Sequence, residues 1–303
     1  MIEFKDVTVK DKGWIDNLLS FNDYGSTEYN FSVLYIWKDV YKAKIARYKD
    51  FLLAKYGEPG RGRGVSYMYP AGRGDIKEAV ELLIDDAKEC GVPFVLIPVL
   101  AEQKAVLEEL FPGRFSYTPN RDGFDYIYSA ESLITLKGKK YQSKRNFVSR
   151  FKKNNNWSFE PITSENIEEC RQMNDEWCAL YGCANSASLS EEGCSVRSAL
   201  RNFQELKMEG ALLRVDGKVA AFSIGEKLNS NTVLIHIEKA FAYIEGAYPA
   251  ISQMFLESLR DKGILFELVN REDDAGDEGL RKAKLQYHPL FMIEKYIVAD
   301  LEN

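Results

Sequence analysis

Histidine and paired cysteine are what this sequence has least of. Its 303 residues hold two histidines and five cysteines, Cys90, Cys170, Cys178, Cys183 and Cys194, none of them in a CxxC pair. No zinc-ligand spacing exists, and no metal site is expected. The odd count reads as reduced thiols in a cytoplasmic protein, with Cys170 and Cys178 on the apolar side of a helical pattern as core residues. Long apolar runs are lacking too. The longest, Val92 to Ala101, is half of the roughly 20 residues that a spanning helix needs, so no integral membrane segment is expected. The start, Met1-Ile2-Glu3-Phe4-Lys5-Asp6, has no signal-peptide pattern. There is no excess of positive charge either. The net charge of −6 argues against bulk electrostatic binding of nucleic acid, although a local basic patch survives that argument.

What is present is apolar and patterned. A hydrophobic fraction of 45% with 13% aromatics supports large cores and excludes disorder, and the length suits two domains of about 150 residues. Up to Tyr128 the chain reads as strand, helices, three strands, helix, strand, helix and strands. Ile76, Val80, Leu83, Ile84 and Ala87 recur at helical spacing, with Asp75 as the N-cap and Gly91 as the stop. The glycine-rich Gly57 to Gly64 reads as a loop, and Pro70 to Asp75 as a turn that is a weak phosphate candidate. From Trp157 to Ala299 a similar order returns: strand, two helices, a three-strand meander turning at Asp216-Gly217, helix, strand, helix, strand. The expected organisation is a domain at 1–136, a basic linking helix at 137–156 and a second domain at 157–303.

Between Lys137 and Lys153 lie eight basic residues and no acid. This is either a solvated basic face or a clamp for phosphate, in which Lys140, Lys144 and Arg145 are the candidates. The densest polar stretch is Val269 to Pro289, which follows the apolar run Ile264 to Val269, read as a buried strand. Asp273 or Asp274 is the expected N-cap of a helix on which Asp277, Arg281, Lys284 and His288 share one face, while Leu280, Ala283 and Tyr287 share another. Ligands favour the carboxyl ends of strands in open α/β sheets. Asn270, Arg271, Glu272, Asp273, Asp274, Arg281, Lys284 and Tyr287 are therefore the substrate-binding candidates. Asp273 or Asp274 suits a substrate ammonium; Arg271, Arg281 or Lys284 suits a carboxylate or phosphate. The competing account is an internal ion-pair network that fixes the loop. In the strand Thr232 to Glu238, His236 and Glu238 project to the same side, about 7 Å apart.

Several groups of residues carry a resemblance: Asp125-Tyr126-Ile127-Tyr128, Leu136-Lys137-Gly138-Lys139-Lys140, Lys144-Arg145-Asn146, His236-Ile237-Glu238-Lys239-Ala240, and Asn270 to Gly276 through Leu280-Arg281-Lys282-Ala283-Lys284 to Tyr287-His288-Pro289. With them the chain resembles a bacterial family related to the C-terminal catalytic domain of phosphatidylglycerol lysyltransferases. The resemblance implies an α/β (α+β) architecture of tandem Gcn5-related N-acyltransferase (GNAT-like) domains, with mixed sheets flanked by helices. It also implies transfer of an aminoacyl group from tRNA to a lipid head group or a peptidoglycan precursor. In that fold the strand bearing His236 and Glu238 lines the donor site, so either is a candidate catalytic base. Two departures stand out. No membrane domain is seen, which weighs against a lipid acceptor, and the loop Ala240 to Tyr248, where ordinary acetyltransferases bind pyrophosphate, has a single glycine.

Three readings follow. The first is an acyltransferase with aminoacyl-tRNA as donor and a small-molecule, lipid or peptidoglycan-precursor amine or hydroxyl as acceptor. The second is an acyl-CoA-dependent N-acyltransferase that holds phosphate at Pro70 to Asp75 or on the basic helix. The third is a non-catalytic binding protein on the same fold.

Overall fold

Residues 2–302 are described by the computed structural model, the side chains of residues 61–63 aside. The chain folds as two units. One comprises the chain up to Asp125 together with Asp273–Glu278 and the stretch from Met292; the other comprises Tyr126–Glu272 and Gly279–Phe291.

The first unit is built on a mixed sheet. Its strands run in the order Lys5–Asp6, Lys44–Tyr48, Phe51–Glu58, Arg61–Tyr67, Val95–Leu100, Lys295–Asp300 and Phe115–Pro119. The pair Arg61–Tyr67 and Val95–Leu100 is parallel because the helix Ile76–Cys90 crosses over between them. That helix starts where Asp75 accepts the Glu78 N–H at 3.1 Å, and it ends at Gly91, whose φ of +65° suits a residue without a Cβ. Its apolar stripe, Ala79, Val80, Leu83, Ile84 and Ala87, packs with Leu53, Tyr67, Leu96 and Val298 in one core. Full burial of such a side chain contributes about 1.5–3 kcal/mol.

The second sheet runs Phe291–Ile293, Asp125–Ser129, Leu268–Asn270, Thr232–Ala240, Lys218–Lys227, Glu209–Val215 and Trp157–Pro161. Here Thr232–Ala240 and Leu268–Asn270 are parallel, joined through the helix Ala247–Asp261. This helix and the basic helix Gln142–Asn154 share a core in which Phe151, Ala247, Ala250 and Ile251 meet Leu213, Ala221 and Ala240. Gly246, at φ +83°, permits their approach, since a Cβ there would lie 2.3 Å from the Phe147 carbonyl oxygen.

Several expectations change. The division falls after Asp125, not after residue 136, and the basic helix is not a linker but part of the second unit's core. Lys295–Asp300 completes the first sheet, while Asp125–Ser129 pairs with Leu268–Asn270 in the second. Each half thus gives a strand to the other sheet, an exchange that periodicity does not encode. The glycine-rich segment is the turn of a hairpin joining Phe51–Glu58 to Arg61–Tyr67, not a loop. Only Leu268–Asn270 of the run from Ile264 is strand, and Leu265 is 80% exposed. The helix expected from Asp273 or Asp274 begins at Glu278, because both aspartates turn back: Asp273 accepts the Ala275 N–H and Asp274 that of Gly276, each at 3.0 Å. Cys178 and Cys183 form a disulfide where reduced thiols were expected. Gly182, at φ +74°, ends the helix Ile167–Tyr181 and brings the two Cα atoms to 4.9 Å.

Candidate functional site in the second unit

The site grows from an interruption in the second sheet. Thr232–Ala240 pairs with Leu268–Asn270 over three residues only, ending at Leu234 opposite Asn270, yet it stays paired with Lys218–Lys227 on its other side as far as Ala240. Past Leu234 it therefore presents an open edge to the chain leaving Asn270. That chain is tightly fixed. The Arg271 N–H donates to the Tyr126 carbonyl at 3.1 Å, and its own carbonyl accepts from Lys284 Nζ at 2.6 Å. The buried Asn270 side chain accepts the Glu272 N–H at 2.7 Å, supporting the φ of +57° at Glu272.

Arg271 so held reaches across to Glu238, with Nη2 donating to Oε1 at 2.7 Å. Both side chains are nearly buried, and Nη1 is buried with no acceptor among the described residues. The guanidinium lies 4.7 Å from the Tyr287 ring centre and 5.8 Å from that of Tyr128. Burial pushes the Tyr287 hydroxyl up to about 12, so it is a neutral donor at physiological pH. From the basic helix, Lys144 Nζ sits 4.2 Å from the same Tyr287 ring centre and donates to Gln286 at 3.3 Å. Burial, reinforced by the charge of Arg271, lowers the Lys144 pKa.

His236 is differently placed. Its ring nitrogens face Glu226 at 2.9 Å and Glu272 at 3.3 Å, with no exposed side-chain surface. Burial alone would favour the neutral ring, but the two carboxylates prevail and raise its pKa to about 9. This is a structural imidazolium with no nitrogen left for a substrate proton. It has a stability signature. A raised folded-state pKa gives stabilisation that is complete below the unfolded value near 6.5 and lost as pH rises through about 9. Unfolding free energy is expected to fall by up to about 3 kcal/mol across that window in urea titrations, and a His236→Gln variant should lack the slope. Parallel curves for the two proteins would refute this reading.

The remaining candidates divide. Glu238, Arg271, Tyr287 and Lys144 come together. Glu272 is engaged with His236, while Asn270 and Lys284 shape the Arg271 backbone instead of facing a ligand. Asp273 and Asp274 belong to the first unit, where the fully buried Asp274 pairs with Arg121 at 3.3 Å. Arg281 lies part-exposed on the helix Glu278–Leu285. Arg145 donates to the carbonyls of Leu136 and Gly138, closing the turn before the basic helix, and Lys140 is exposed with its ammonium over Tyr141. Tyr128 and Glu226 were missed; no spacing in the sequence marks either.

Both phosphate-binding turns considered for coenzyme A have amides in use. At Pro70 to Asp75 the Gly72 N–H donates to Asn22 and that of Arg73 to the Asp50 carbonyl. In Ala240 to Tyr248 the Phe241, Ala242, Ile244 and Ala247 N–H groups donate to Ala220, the Tyr181 hydroxyl, Phe241 and Ile244.

Residues 21–299 match the family described as phosphatidylglycerol lysyltransferase, C-terminal. The chain belongs to this family. Among solved structures, this lysyltransferase C-terminal family member is similar to a conserved protein of unknown function from Bacteroides thetaiotaomicron VPI-5482, at 37% identity and a TM-score of 0.92 over 99% of this chain and 100% of that one. It is also similar to L-PGS from Bacillus licheniformis, at 15% identity and a TM-score of 0.68 over 97% and 93% of the two chains. FemX follows at 11% identity and a TM-score of 0.65 over 99% and 98%. The fold of the family member is GNAT-like, with two mixed sheets flanked by helices. An uncharacterised protein of Mycoplasmoides gallisepticum is 25% identical over 180 residues, which are 57% of this chain and 55% of that protein; the chain thus spans about half the length of this curated relative. Among the described residues, no helix of the family member is long and apolar enough to cross a membrane.

Proposed function

We propose that the chain is an aminoacyltransferase that moves an aminoacyl group from aminoacyl-tRNA to an amine or hydroxyl acceptor. The observation that carries the reading is the Glu238–Arg271 pair, held at the open edge of the sheet in a relative of lysyltransferases. In the proposed reaction the acceptor nitrogen or oxygen attacks the ester carbonyl carbon, and Glu238 takes the acceptor's proton. The bond to the ribose oxygen then breaks, and that oxygen receives the proton from Glu238, leaving the carboxylate as it began. Arg271 fixes the orientation of the carboxylate. Lys140 and the neighbouring exposed cations of the basic stretch supply attraction for RNA phosphates. The coenzyme A alternative draws no support from the Pro70 to Asp75 turn, where the Gly72 and Arg73 amides are in use.

The test incubates the purified protein with tRNA charged with each labelled amino acid and with cell extract as the source of acceptor. Label is expected to leave the tRNA for a product that is no longer sensitive to ribonuclease, stable to mild base where the acceptor is an amine and cleaved by it where the acceptor is a hydroxyl, at a rate that falls as salt rises. Tight binding should weaken by about one order of magnitude or more between 50 and 200 mM salt. No transfer from any charged tRNA, together with salt-independent binding, would sink the proposal.

A further inference from the structure

We propose that the Arg271 guanidinium and the Lys144 ammonium form a receptor, built over the Tyr287 ring, for a singly charged anion with two equivalent oxygens, a phosphodiester or a carboxylate. Three observations carry it. Arg271 spends Nη2 on Glu238, while Nη1 is buried and meets no acceptor among the described residues. A buried donor without a partner is costly, and a guanidinium presents its donors as a fork that matches paired oxygens. Lys144 points its ammonium at the same ring, 4.2 Å from the centre against 4.7 Å for Arg271, and its hydrogen bond goes to a neutral amide, Gln286. Finally, two cations around this ring are balanced by one carboxylate, Glu238. One further negative charge neutralises the cluster, and a doubly charged phosphate monoester overshoots. The neighbouring ionic groups are committed elsewhere: His236 lies between Glu226 and Glu272, and the Lys284 ammonium is on the Arg271 carbonyl.

This deepens the site on which the transferase reading rests, because the phosphodiester of an RNA 3′ end is one source of such an anion. The experiment is an equilibrium one. Protein labelled with carbon-13 lysine and nitrogen-15 arginine is titrated with dimethyl phosphate or with acetate, to about 100 mM, with ionic strength held constant by chloride. A saturable shift at Lys144 and Arg271 is expected. It should weaken at least about tenfold in Arg271→Lys, which keeps the charge and loses the fork, and severalfold in Lys144→Met. Saturation by dimethyl phosphate alone assigns a phosphodiester source, and by acetate alone a carboxylate source. Saturation by neither anion, or equal binding by Arg271→Lys, overturns the proposal. Should Arg271→Lys fail to fold, unchanged binding by Lys144→Met, a part-exposed position, overturns it instead. Anion binding without transfer from charged tRNA sinks the transferase reading alone, whereas transfer without anion binding sinks this one alone.

Discussion

Replacing Lys295 by methionine is expected to lower the unfolding free energy by about 3–5 kcal/mol, the usual loss when one partner of a buried ion pair is removed. Lys295 Nζ lies 2.7 Å from Asp125 Oδ1 and 2.8 Å from Glu28 Oε1, with 1% of the lysine side chain and none of the aspartate side chain exposed. Burial alone would drive the proton off this lysine, but the two carboxylates outweigh it and hold its pKa above the ordinary value. Glu28, for its part, is pushed up by burial, so its charge depends on the same ammonium. Methionine matches the length of the lysine stem and removes the ammonium that both carboxylates face. Asp125 would keep the Thr27 N–H at 2.8 Å and Glu28 the Ser26 hydroxyl at 2.5 Å, neither of which carries charge. The loss should appear as a lower urea midpoint at unchanged m-value. Adding Asp125→Leu to Lys295→Met should recover part of it by removing the stranded charge. A fall below about 1 kcal/mol in the single variant would show that the triad is solvated and that the assigned role is mistaken.

That triad also marks where reading from sequence stops. Local chemistry was legible: the Asp75 cap and Gly91 stop bound the observed helix, and the Asp216-Gly217 turn adopts positive φ at both residues, as a tight hairpin requires. The repeated order of elements was legible because each rests on periodicity within about 15 residues. Partnerships across the chain were not. Lys295 meets Asp125 across 170 residues and Glu28 across 267, with no pattern linking the three. The exchanged strand Lys295–Asp300 is broken by a register shift between Tyr296 and Val298, and its own residues do not say which sheet it joins. At the site, strand alternation put His236 and Glu238 on one side, but the pairing register shifts at His236, and alternation could not tell that one is enclosed by carboxylates while the other faces Arg271. The polar stretch after Val269 looked like a single cluster because its residues are consecutive. The positive φ at Glu272 and Ala275 instead turns the chain sharply, so Arg271 and Asp274 serve different units.

Glu238→Gln is the substitution with the largest expected effect on activity. Glutamine keeps the shape of the side chain and an oxygen for Arg271 Nη2, but it cannot take a proton. If Glu238 is the base, kcat for transfer should fall by about 10²–10⁴, the usual contribution of a positioned base, with KM little changed because the acceptor's contacts remain. A purely structural role makes a different pattern. Were Glu238 there only to orient Arg271, glutamine would still accept the guanidinium hydrogen bond and activity would stay within about threefold. Glu238→Asp provides the converse control. It keeps the charge but withdraws the carboxylate by one methylene from both the acceptor and Arg271, so rate should fall, though by less than in the glutamine variant. A glutamine variant as fast as the parent would remove Glu238 from proton transfer and leave Arg271 as the group around which the chemistry has to be rebuilt.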